Sequence, residues 1–126
     1  MRRVELHQDT LEIVLTGLTR LEAMQGRFSI PYAHIHAVHA NLAPHPNLLR
    51  LAGTAVGPNS QEGHYIDENG GWHFLSYENP NGVITIDLKD FNVGRQHYVT
   101  IMVEVDDPVS MAEAIQNRLV SDLNST

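Results

Sequence analysis

The stretch whose reading decides the fold is Gly63–Leu123, GHYIDENGGWHFLSYENPNGVITIDLKDFNVGRQHYVTIMVEVDDPVSMAEAIQNRLVSDL. It reads as a β-meander that runs into one amphipathic helix. Gly63–Asp67 is a short strand, Asn69-Gly70 a tight turn and Trp72–Tyr77 the partner strand, since Asn-Gly between alternating apolar runs signals a hairpin. Pro80-Asn81-Gly82 turns the chain into Val83–Leu88, and after a polar bend His97–Val105 is the longest strand. Along it Val99, Ile101, Val103 and Val105 alternate with Tyr98, Thr100, Met102 and Glu104. Trp72 and Phe74 share a face with Ser76, while His73, Leu75 and Tyr77 take the other. Such alternation predicts a sheet buried on one face, and antiparallel meanders of that kind close into a barrel or pack as a sandwich.

The helix announces its own start. Asp107 suits the N-cap and Pro108 the first helical position, where a missing N–H costs nothing. Asp106 adds negative charge at the positive end of the helix dipole. Val109, Ala112, Ile115, Leu119 and Leu123 recur at three- and four-residue intervals, with Glu113, Gln116 and Asn117 facing water. The helix therefore spans about 108–122 and lays its stripe on the open end of the strands.

Before residue 63 the pattern is shorter in range. Val4 and Leu6 alternate with Arg3, Glu5 and His7, Asp9-Thr10 turns, and Leu11, Ile13 and Leu15 alternate with Glu12, Val14 and Thr16. This is an opening hairpin. Leu18–Met24 reads either as one or two helical turns or as a third strand. Phe28-Ser29-Ile30 is extended because Pro31 follows; Tyr32–Ile35 turns, and His36–Ala40 continues as a strand. From Asn41 to Glu62 prolines and glycines punctuate a long loop holding Leu48, Leu49 and Leu51. Those leucines either close one end of a barrel or form a partner-binding flap.

The totals set the class. One domain of 126 residues can bury a core without staples, and the 42% apolar and 18% charged content is that of a globular protein. With no cysteine there is no disulfide, thiolate nucleophile or zinc–thiolate site. Neither a signal peptide nor a membrane span is visible, which predicts a cytoplasmic protein. Net charge is −7, and the seven arginines and single Lys89 are scattered, so nucleic acid is not an expected partner.

Gly63-His64-Tyr65, Trp72-His73-Phe74, Val83-Ile84-Thr85-Ile86 and Val103–Pro108, with Ile30-Pro31, Ile35 and Val38 before them, resemble small bacterial proteins of the pleckstrin-homology-like family. The resemblance implies a mainly-β fold: an antiparallel barrel of about seven strands, spanning about 3–105, capped by one C-terminal helix. That fold hosts lipid binders, peptide binders and scaffolds alike. Members that bind phosphoinositides carry lysines and arginines around the first strand loop. Here that loop is Asp9-Thr10, short and acidic, so membrane headgroup binding is not expected.

Chemistry-bearing motifs are few. His34, His36 and His39 put three imidazoles within six positions, yet on a strand His39 points away from the other two, and on a helix His34 is left out. Ser29, Ser60, Ser76 and Ser110 sit in no nucleophile elbow, and His73 and His97 have no carboxylate partner obvious in sequence. No catalytic, cofactor-binding or metal residue is assigned, and no cofactor is expected. The expected function is a non-enzymatic interaction module that binds a protein or peptide segment, or a second copy of itself, through a strand edge or the groove beside the helix. A carrier of small apolar ligands or lipid in the barrel interior comes second, and a histidine-based metalloenzyme third.

Overall fold

The computed structural model describes residues 2–17, 19–20, 26–41, 48–54 and 60–124, without the side chains of 50–52, 54 and 121–124. Among these residues nine strands form two sheets. β1 (Arg2–Leu6), β2 (Thr10–Leu15) and β3 (Arg27–Pro31) make a three-stranded antiparallel sheet in chain order. β4 (Ile35–His39), β5 (Leu49–Thr54), β6 (Gln61–Ile66), β7 (Trp72–Tyr77), β8 (Val83–Val93) and β9 (Gln96–Glu104) make the second, in the order β4-β8-β9-β7-β6-β5. Helix α1 (Pro108–Asn124) ends the described chain.

The fold is mainly β with a C-terminal helix, as expected, but it is not the simple antiparallel barrel of about seven strands. Among the described residues no ladder joins the two sheets. The meander is also broken: β9 inserts between β7 and β8, pairing parallel with the first and antiparallel with the second. The Pro80–Gly82 turn therefore carries the chain past the end of β9 instead of into a neighbouring strand. It is stitched there, because the Val105 N–H donates to the Gly82 carbonyl (2.9 Å) and Glu104 Oε1 accepts from the N–H groups of Glu78 (2.7 Å) and Asn79 (3.0 Å).

Between the sheets lies a core of Leu11, Ile13, Leu15, Phe28, Ile30, Phe74, Ile84, Ile86, Tyr98, Ile101 and Val103, with Ala112, Ile115 and Leu119 of α1 closing it. Tyr98 belongs to this face although alternation puts it opposite Ile101. The register with β7 steps from Trp72↔Tyr98 to His73↔Thr100, so Val99 is an extra residue, and such a bulge flips everything before it. The six-stranded sheet is buried on its other face too, where Tyr65, Leu75, Tyr77, Val83 and Met102 form a second cluster joined by Leu48. One-faced burial, read from alternation, is thus corrected.

Local expectations mostly hold. Asp107 caps α1: its carboxylate accepts from the Ser110 N–H (3.1 Å) and hydroxyl (2.9 Å), and its carbonyl from the Met111 N–H (3.0 Å). Those bonds hold its carboxyl below the ordinary range. Val109 stays out of the apolar stripe, being 59% exposed. The first hairpin turns at Gln8-Asp9, and Thr10 already opens β2. The 41–62 segment is no continuous loop: it contains β5, whose Leu49 is exposed. Residues 42–47 and 55–59, most of Leu18–Met24 and the side chain of Leu51 lie outside the described residues.

Candidate functional site

The first hairpin leaves an edge. The His7 N–H donates to the Thr10 carbonyl at 2.9 Å and closes the two-residue turn. Hydrogen-bonded pairs recur at every second residue of an antiparallel ladder, so Glu5/Glu12 and Arg3/Val14 bond across to β2. Val4 and Leu6 turn their N–H and C=O groups the other way, and among the described residues no strand pairs with that side of β1. Their side chains rest against the core.

A groove of about 670 Å³ runs along this edge. Val4 and Leu6 form one apolar wall; Val105 with Met111 and Ala114 of α1 forms the other. Glu104, Asp106 and Asp107 supply an acidic end, where Glu104 lies 3.9 Å from Arg2.

The edge is fastened from beneath. The Arg2 guanidinium reaches across to the six-stranded sheet, where Nη2 donates to Glu62 Oε1 and Nε donates to Ser76 Oγ at 2.8 Å. Ser76 donates in turn to Glu62 Oε2 at 2.6 Å. Glu62 is fully buried, so this is a desolvated ion pair with every partner placed. Glu78 and Glu104 lie 3.9 Å from the same guanidinium. Nothing local in the sequence marks Arg2 or Glu62 as partners, since they stand sixty residues apart.

The histidines do not converge. His34 Nδ1 lies 3.0 Å from the Lys89 carbonyl and His39 Nε2 lies 2.9 Å from Asp87 Oδ2, while His36 is exposed. Glu5, His7 and Glu12 do come together on the outer face of the hairpin, at 3.4 Å and 3.8 Å between ligand atoms. Arg3 holds the other oxygen of Glu5, Oε2, and Arg27 holds Glu12 Oε2, the same oxygen that faces His7.

His73 has the carboxylate partner that sequence did not reveal. Its Nε2 lies 2.7 Å from Asp67 Oδ2 and its Nδ1 2.6 Å from Thr100 Oγ1. The connectivity is that of a hydroxyl–imidazole–carboxylate relay. Asp67 Oδ1, however, accepts from the N–H groups of Asn69 (2.8 Å) and Gly71 (2.9 Å), which makes the set a clasp on the β6–β7 turn. The His73 hydrogen bond first, then the turn N–H groups, hold the Asp67 carboxyl below its ordinary value of 3.8. A depressed carboxylate stabilises the fold above that value and stops doing so as pH falls through and below it. Asp67→Ala should cost about 1–3 kcal/mol at neutral pH, and urea unfolding should show the difference from wild type shrinking below about pH 3. An equal difference at both pH values would exclude the clasp.

Deeper in, His64 sits in a ring of Phe28, Trp72, Phe74 and Tyr98, with Nδ1 2.8 Å from the Tyr98 hydroxyl. Burial pushes the Tyr98 phenol up to about 12. Phe74, Ile84 and Ile86 beside it are fully buried as well. No described helix is long and apolar enough to cross a membrane. Comparison with protein-family models, curated proteins and solved structures finds no match to this chain.

Proposed function

We propose that this chain is a non-enzymatic interaction module that takes up an extended polypeptide segment by strand addition to β1. The observation that carries the reading is the open β1 edge lying along the groove beside α1. An incoming strand satisfies the outward N–H and C=O groups of Val4 and Leu6, which supplies affinity. Its alternate side chains enter the space between Val4, Leu6 and Met111, which supplies selectivity. The Arg2–Glu62 pair holds the edge at a set height above the second sheet, so little ordering is left to binding. The likeness of the Val103–Pro108 helix entry and the Trp72-His73-Phe74 strand to bacterial pleckstrin-homology-like proteins supports placing the module in that group.

The test is amide-resolved NMR during titration with pooled heptapeptides of alternating valine and threonine flanked by varied residues. Shifts should concentrate at Val4, Leu6 and Met111. Val4→Pro removes an N–H that β2 does not use, so it should abolish those shifts while leaving the β1–β2 ladder in place. Absence of any shift along β1, or shifts that survive Val4→Pro, would overturn the reading.

A further inference from the structure

The groove also says what kind of segment it takes. Two guanidiniums, Arg2 and Arg3, flank it, and both are engaged: Arg2 by buried Glu62 and Ser76, Arg3 by Glu5. Glu78 and Glu104 each lie 3.9 Å from Arg2, and Asp106 and Asp107 line the groove together with Glu104. Asp107 is taken up by capping α1 and Glu104 Oε1 by the N–H groups of Glu78 and Asn79, but Asp106 is exposed and Glu104 is only partly covered. The acidic end is therefore left with more carboxylates than cations, within a chain whose formal charge is −7. Low-dielectric walls on both sides of a groove strengthen such a field over its value in open solvent.

We infer that the segment bound on β1 is basic as well as extended: apolar residues at alternate positions, then a Lys or Arg seated against Glu104 and Asp106. This rests on the strand-addition reading and adds the ligand's chemistry to it. The geometry also gives a direction. Glu104 approaches Arg2, at the start of β1, so a segment running antiparallel to β1 brings its C-terminal end to the carboxylates. The cation thus follows the apolar positions in an antiparallel ligand. An acidic segment would meet like charge there, and a polyanion would be turned away.

The experiment uses three fluorescein-labelled peptides on the full chain: Val-Thr-Val-Thr-Val followed by Lys-Arg, Gln-Gln or Glu-Glu. Anisotropy at low salt should rank Lys-Arg first, about tenfold tighter than Glu-Glu, and 0.5 M NaCl should compress that gap to about twofold. Asp106→Asn, which leaves the Asp107 cap in place, should weaken Lys-Arg binding about threefold and leave Gln-Gln binding unchanged. If all three peptides bind alike and Val4→Pro abolishes each, strand addition stands and the basic preference is wrong. If none binds, both are wrong. Preference for Glu-Glu would overturn the inference outright.

Discussion

Arg2→Ala should destabilise the protein by about 3–5 kcal/mol, because it strands a buried carboxylate without its counter-charge. Glu62 is fully buried, and among the described residues Ser76 is the side chain left to donate to it once the guanidinium has gone. The loss is structural as well as electrostatic. Arg2 ties the start of β1 to β6 and β7, so that end of the first hairpin should loosen before the rest unfolds. Removing both charges is a different matter, since an apolar pair of similar volume leaves nothing unsatisfied except Ser76. Arg2→Met with Glu62→Leu should therefore recover more than half of the single-variant loss in urea unfolding. A single-variant cost below about 1 kcal/mol would show the pair to be solvent-screened and not a fastening.

Gly53→Ala should be about as damaging, for a reason that has nothing to do with charge. Gly53 lies in β5 opposite Gly63 of β6, with φ of +116°, a region that side-chain-bearing residues rarely adopt. A Cβ at this position would stand 1.9 Å from the Glu62 carbonyl oxygen and 2.5 Å from the Gly63 Cα. Both are backbone atoms, so no rotamer change relieves the clash and the two strands must part. Strain and overpacking together should cost about 3–5 kcal/mol. The damage should propagate to the neighbouring Glu62, so amide exchange should quicken at Glu62 and Ser76 as well as in β5. Unchanged exchange across β6 in a folded Gly53→Ala protein would mean that β5 can peel away by itself.

The two variants also separate what is local from what is not. Gly53, read with Pro44, Pro46, Pro58 and Gly57, looks like loop punctuation. In the fold it is a strand residue, glycine because another backbone passes where its side chain would be. Close approach of two strands leaves no periodic trace, and so β5 is not legible in the sequence.

Sequence by itself determined the pieces whose causes lie within a few residues. The Asp107 cap, the Asn69-Gly70 turn, the extension before Pro31 and the hairpin of β1 and β2 are all decided by short-range hydrogen bonding and sterics. The core stripe Ala112, Ile115 and Leu119 followed from helical spacing. Only the tertiary structure decided that β9 lies between β7 and β8, that the Val99 bulge swings Tyr98 into the core, and that Arg2 meets Glu62. It alone showed that the edge of β1 left unpaired among the described residues lies along a groove shared with α1. Periodicity states which face of a strand is apolar, but not which strand comes next to it, because pairing is chosen by the packing of the whole core.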